Sequence, residues 1–262
     1  MSSTILYEKK GRVAKITINR PEVYNALNNP TKAALFEAIQ KYADDDKLRC
    51  CVIRGAGENA FCAGQDFNES HDIKPTGAKA WCQSFVPFYD AIRALDKPLV
   101  SLVNGVCAGS GFQIPLLSDI RLCTPNARFG MTEIDAGFPT ITGSSLMWDI
   151  LGQSLATELA LTGRLMGAEE ALKHGLVAKI IPWETLDEEV GAYCEMLCNK
   201  PPTAIRSMKK WFCMIEEQRY RASWYFAEDA HTAGYASGEP KIWQERFMAE
   251  HKVSKEKKQQ GK

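Results

Sequence analysis

The sequence lacks an excess of charge of either sign: 32 Lys and Arg offset 32 Asp and Glu over 262 residues. A nucleic-acid binder ordinarily carries a basic face, so no nucleic-acid partner is expected. No apolar run approaches the roughly 20 residues that span a bilayer. The first residues also lack an apolar core followed by a small-residue cleavage site. The expectation is a cytoplasmic chain with no membrane partner. Histidine is scarce, and His71, His174, His231 and His251 stand at no metal-ligand spacing from Cys or Glu; no metal is expected. Gly55, Gly57 and Gly64 do not form GxGxxG, and neither GKS, GKT nor a GxSxG elbow occurs. Nucleotide fingerprints and ordinary serine-hydrolase machinery are thereby set aside.

What is present is an ordinary globular composition, 45% hydrophobic and 24% charged, long enough for one large domain or two small ones. Nine cysteines, an odd number set among apolar neighbours such as Cys50-Cys51-Val52, read as reduced and buried. Val13–Ile18 alternates as a half-exposed strand. Asn29-Pro30 opens a helix whose apolar face is Leu35, Ile39 and Tyr42. Leu48–Ile53, Leu99–Val103, Ile120–Cys123 and Ala127–Phe129 read as further strands. Residues 68–77 read as a polar, helix-poor loop, and Trp81–Leu95 as one helix facing inward through Phe85, Phe88, Ile92 and Leu95. Helices follow at Ser144–Leu151, Ser154–Thr162 and Ala168–His174, and from Leu186 onward the chain is mainly helical, interrupted at Pro201-Pro202. The basic cluster His251–Lys262 reads as a solvated, partly frayed end. Strands in the first half and helices in the last third indicate an α/β core with a helical extension.

Two glycine-bearing turns carry candidate chemistry. Gly64 permits a tight turn that exposes the Gln65 amide; a purely structural turn is the plain alternative. After the strand ending at Val103 and the bend at Asn104-Gly105, a helix beginning near Ser110 would present free amides to an anion or developing oxyanion. Pro115 is tolerated if that helix starts near Gly111 or Phe112; a close-packed strand-to-helix turn is again the plain reading. Glu133 and Asp135 are the candidate acids. An apolar pocket would raise the pKa of either and suit it to proton transfer, whereas a loop acid capping a helix needs no such pocket.

The segments NRPEVYNALN, AFCAGQDF, KPLVSLVNGVCAGSGFQIPLLSDIRL, ARFGMTEIDAGF and LTGRLMGAEEALKHGLVAKI, in this order and spacing, resemble the crotonase superfamily, also called the enoyl-CoA hydratase/isomerase family. The resemblance runs from about Ile5 to Phe247. It implies an α/β crotonase-like spiral of ββα units over residues 1–195, then a C-terminal helical trimerisation region and basic tail over 196–262. It implies an acyl-CoA thioester substrate, with coenzyme A part of that substrate and no separate cofactor, and a homotrimer or dimer of trimers. By resemblance, the amides of Gln65 and Ser110 form an oxyanion hole and Glu133 moves the substrate proton. Gln113 stands where typical hydratases have a second glutamate, and an amide cannot act as a general base.

GSGFQIP and FGMTEIDAGFP are similar to the aromatic hydratase-lyase group, whose later helices supply a tyrosine; Tyr220 and Tyr225 are the candidates here, and Asp135 a possible auxiliary. The leading implication is an atypical enoyl-CoA hydratase or hydratase-lyase. A double-bond isomerase stands next, and a catalytically weak acyl-CoA-binding protein is the alternative outside catalysis. Trp211, Phe212, Trp224, Tyr225, Phe226 and Trp243 supply aromatic surface for a subunit contact, with helical core packing as the alternative.

Overall fold

The computed structural model describes the backbone of residues 3–260 and the side chains of residues 3–249. β1 (Ile5–Lys10) and β2 (Val13–Ile18) form an antiparallel pair, with Ala14, Ile16 and Ile18 fully buried as the alternation requires. α1 (Asn29–Ala43) follows, capped by the Asn28 side chain, which accepts from Thr31 N at 3.0 Å. Its Leu35, Ile39 and Tyr42 are buried in the main core. Burial of each such side chain stabilises the fold by about 1.5–3 kcal/mol.

Three strand pairs then alternate between two sheets. β3 (Cys50–Gly55), β5 (Leu99–Val103) and β7 (Ile120–Cys123) enter a six-stranded sheet ordered β1-β2-β3-β5-β7-β10. Their successors β4 (Ala60–Cys62), β6 (Val106–Ala108) and β8 (Arg128–Gly130) enter a four-stranded sheet ordered β4-β6-β8-β9. β9 (Met166–Gly167) and β10 (Lys179–Ile180) complete the two edges. Each pair is followed by helix: α2 (Phe67–Ser70), α3 (Pro75–Gln83) and α4 (Val86–Arg93) after the first, α5 (Ser110–Leu117) after the second, α6 (Thr142–Thr162) after the third. This is a spiral of ββα units. α7 (Ala168–Lys173), α8 (Leu186–Cys198), α9 (Pro202–Ser237) and α10 (Glu239–Gln260) form the helical remainder, and α9 lies against α3 and α6.

Several local expectations change. β1 carries no strong strand signal because Ile5 is its one buried side chain, yet pairing with β2 recruits it. Residues 68–77 are not helix-poor: Asp66 caps α2 through Asn68 N, and Pro75 begins α3. The helix expected over Trp81–Leu95 breaks at Ser84-Phe85. Pro87 has no N–H for the Gln83 carbonyl, and its ring would crowd that carbonyl. The helices expected on either side of Gly152 are present, with Gly152 at φ 75° as the kink between them. α5 begins at Ser110, so Pro115 lies in its interior rather than its first turn; the Gly111 carbonyl freed by the missing N–H accepts instead from Cys107 Sγ at 3.7 Å. The backbone of the basic tail is helical to Gln260, while its side chains, from His251 to Lys262, lie outside the described residues.

Candidate active site

β4, β6 and β8 are parallel neighbours, with Cys62, Cys107 and Phe129 side by side in register. Strands in a sheet lie about 4.8 Å apart. The segments leaving their C-terminal ends therefore emerge next to one another, and they carry Gln65, Ser110 and Glu133. All three line one cavity of about 780 Å³, including its open mouth. Gln113, one turn into α5, lines it as well.

The backbone directions follow from the pairing. Leu27 N donates to Gly64 O at 2.8 Å and Asp66 N donates to Leu27 O at 3.1 Å. The residue between, Gln65, thus turns its own N–H to the opposite side. Ser110 opens α5, so its N–H has no partner inside the helix. The two turns touch only because glycine holds each. Gly64 has φ 98°, and a Cβ there would come within 2.9 Å of Ala108 O and 3.4 Å of Ser110 N. Gly109 has φ 54°, and a Cβ there would stand 3.4 Å from the Glu133 carboxyl carbon. Tyr89, fully buried on α4, donates its hydroxyl to Ser110 O at 2.5 Å and fixes the start of α5.

Glu133 sits on a single 3-10 turn, Thr132–Ala136. Burial pushes its carboxyl up to about 7, against the lowering pull of its own backbone amide and of Thr140. Thr140 Oγ1 donates to Glu133 Oε2 at 3.1 Å. Among the described residues, Glu133 is the one carboxylate lining the cavity. Gln113 Oε1 and Ser110 Oγ are buried and have no hydrogen-bond partner among the described residues.

The remaining wall is built of rings. Trp81 stacks on Phe138 with centroids 5.6 Å apart and meets His231 edge-on at 5.1 Å, while Phe85 and Trp224 close the side toward α4 and α9. Burial lowers His231 to about 4, which keeps its imidazole neutral at physiological pH. Thr140, Trp81 and His231 were not singled out from sequence. A signal existed for the last: Trp224, Ala227 and His231 recur at helical spacing on one face of α9. None marks Thr140, whose role depends on a turn.

The auxiliary candidates do not reach this place. Asp135 lies on a 3-10 turn rather than a strand, is exposed, and packs its carboxylate beside Gly163. Tyr220 is buried one helical turn before Trp224 with the Arg93 guanidinium 3.9 Å from its ring centroid, outside the cavity lining. Tyr225 is 73% exposed, because one residue along a helix turns a side chain about 100° away from its neighbour Trp224. Among the described residues, no group of three or more His, Cys, Asp or Glu side chains is placed to hold a metal ion.

The Gln65 and Ser110 turns meet a desolvated Glu133 carboxyl at one cavity, groups of the chemical types that can donate to a carbonyl oxygen and move a proton. The chain belongs to the enoyl-CoA hydratase/isomerase family, whose profile it matches over residues 8–245. It is 30% identical to (E)-benzylidenesuccinyl-CoA hydratase from Thauera aromatica, over 79% of this chain and 80% of that protein. It is also 30% identical to carnitinyl-CoA dehydratase from Escherichia coli O157:H7, over 90% of each. An enoyl-CoA hydratase/isomerase structure from Pseudoalteromonas atlantica T6c superposes with a TM-score of 0.85 at 27% identity, covering 94% of this chain and 97% of that one.

Proposed function

We propose that this protein is a crotonase-type lyase that adds or removes water at the double bond of an α,β-unsaturated acyl-CoA, with Glu133 as the proton carrier. The observation that carries the reading is Glu133: a carboxyl raised to about 7, bonded to Thr140, beside the two turns that present the Gln65 and Ser110 amides. Those amides hold the thioester oxygen as charge builds on it when a proton enters or leaves the α carbon. A carboxyl near 7 is poised to give and take that proton at neutral pH. Gln113 orients water or a substrate oxygen without acting as a base, which makes the site atypical for a two-glutamate hydratase. The relatives named hydratase and dehydratase support water chemistry on a CoA thioester. The ring-built wall favours a flat, bulky acyl group, the case in which hydration followed by side-chain cleavage is the specific reaction.

Double-bond isomerisation is the second reading, favoured by the single carboxylate in the cavity, since one carboxyl suffices to shuttle a proton between neighbouring carbons. Assembly as a trimer or dimer of trimers accompanies either reading. Trp211, Phe212, Tyr225 and Phe226 are each more than half exposed on α9, an apolar surface that suits a partner subunit. The nine unpaired cysteines suit a reducing cytoplasm.

The test is a parallel assay with crotonyl-CoA, a β,γ-enoyl-CoA and hydroxycinnamoyl-CoA, scoring hydration, double-bond migration and aldehyde release. Hydration or aldehyde release above migration is expected; migration alone would replace the hydratase reading by the isomerase one. Gln113→Glu is expected to raise crotonyl-CoA hydration, and a parent already hydrating well while tolerating Gln113→Ala would remove the importance of that position.

A further inference from the structure

α1 hides a charge on its apolar face. Lys32 lies one turn before Leu35 and is 3% exposed, the ammonium included in the protein rather than extended to solvent. Its Nζ donates to Ser84 Oγ at 2.7 Å and approaches Gln65 Oε1 at 3.4 Å. It also stands 4.2 Å from the centroid of the Phe85 ring. Ser84 and Phe85 are the break between α3 and α4, and Ser84 Oγ in turn donates to Trp81 O at 2.6 Å. Gln65, Phe85 and Trp81 all line the cavity, whereas Lys32 does not. One ammonium therefore cross-links α1, the Gln65 turn and the helix break that carries two ring walls.

Such a placement works against folding. Burial lowers the Lys32 pKa to about 8, partly offset by Glu69 on α2, the charge that faces it. An unbranched apolar side chain would fill the same space without desolvating an ammonium. A side chain that is unfavourable for folding yet touches two residues of the cavity wall, Gln65 and Phe85, and the helix break between α3 and α4 is explained by what it holds.

We propose that Lys32 is a positioning residue of this site, a buried ammonium that fixes the Gln65 turn and the α3–α4 break and so aims the Gln65 amide at the substrate oxygen. The proposal rests on the reading of Gln65 as an oxyanion donor. The amide that Lys32 aims acts chiefly as charge builds on the oxygen, so its loss falls on turnover more than on binding.

The experiment compares the full-length parent with Lys32→Met and Lys32→Arg. It measures thermal unfolding, crotonyl-CoA hydration, and exchange of the α protons of butyryl-CoA in heavy water, which needs carbonyl polarisation and Glu133 but no hydration. Lys32→Met is expected to unfold at or above the parental temperature while kcat falls at least tenfold in both reactions and KM stays within about threefold. Lys32→Arg, which keeps a cation and donors, is expected to recover several-fold of the lost turnover. Parental turnover in Lys32→Met would overturn the proposal, as would a joint loss of stability, kcat and KM, the mark of a purely structural lysine. A parent that exchanges butyryl-CoA protons but hydrates nothing overturns the hydratase reading alone, and the role of Lys32 is then decided by the exchange rates.

Discussion

Two polar regions of this molecule are buried in opposite ways. At the crossing between the sheets, Asn25 and Asn104 are fully inaccessible and completely bonded. Asn104 accepts from Gly55 N at 2.9 Å and donates to Gly55 O at 3.0 Å and Gly57 O at 2.6 Å; Asn25 accepts from Arg20 N and donates to Ala56 O and Ala60 O. In the cavity, six and nine residues further along from Asn104, Ser110 Oγ and Gln113 Oε1 are buried with no partner among the described residues, and so are Trp81 Nε1 and His231 Nδ1 across the wall. The first region locks the sheet connections. The second holds polar groups unpaired, a state that is unfavourable until a ligand supplies the missing partners. Saturated bonding holds the scaffold at the crossing, whereas the cavity, like Tyr220 and Gln244 outside it, leaves buried polar atoms unpaired among the described residues.

The contrast breaks most visibly at Asn104. Asn104→Ala leaves three backbone groups without their partner and is expected to destabilise the fold by about 3 kcal/mol or more, read from the urea midpoint. A loss below about 1 kcal/mol would mean that the bonded region is no more structural than the cavity.

Glu133→Gln moves the effect from stability to rate. Turnover is expected to fall by roughly 100-fold or more with acyl-CoA binding retained; near-parental turnover removes Glu133 from the centre of the mechanism. Its stability effect has a definite sign. A carboxyl raised from 4.5 to about 7 in the folded state binds more protons there than in the unfolded state between those pH values. Stability of the parent therefore declines as pH rises from about 4.5 to 7. Glu133→Gln is expected to be the more stable protein at pH 8, with that advantage gone near pH 5; the opposite trend in unfolding midpoints would refute the desolvated carboxyl.

Thr140→Val sharpens the same comparison by withdrawing one of the few bonds the site does make. Thr140 holds the Glu133 carboxylate down, so its loss is expected to move the acid limb of the pH–rate profile upward by about half a unit or more. Thr140→Ser should restore it, and an unmoved limb would assign Thr140 to packing alone. The smallest effect is expected at Gln113. Gln113→Leu removes an amide whose oxygen has no partner among the described residues, and stability should stay within about 1 kcal/mol of the parent. A large loss in thermal unfolding would show that this amide belongs with the scaffold.

Much of the scaffold is legible along the chain. The alternation of Val13–Ile18, the helix start at Asn29-Pro30 and the run Leu99–Val103 are local patterns, and the strands and helix they indicate are present. Errors fall where a long-range partner decides. β1 exists through its pairing with β2, and the break at Ser84-Phe85 turns on a proline that an apolar periodicity does not register. The site divides along the same line. Gln65, Ser110, Gln113 and Glu133 are marked by the turns and segments that contain them, and all four line one cavity. Asp135, Tyr220 and Tyr225 have suitable chemistry and stand elsewhere, because residue type carries no information about which way a helical or 3-10 side chain points.

By itself, the sequence determined the strand and helix periods, the glycines able to adopt positive φ at Gly64 and Gly109, and the residues offered by the turns around them. These are properties of neighbours within a few residues, and backbone sterics and hydrophobic periodicity act at that range. Tertiary structure alone decided that Thr140 would meet Glu133, that His231 would enter the cavity wall, and that the ammonium of Lys32 would lie between Gln65 and Ser84. Lys32 on α1 and Ser84 beyond α3 are brought together by the packing of α1 against α4. Burial, which sets the pKa of both Lys32 and Glu133, comes into being only when those distant segments close around them.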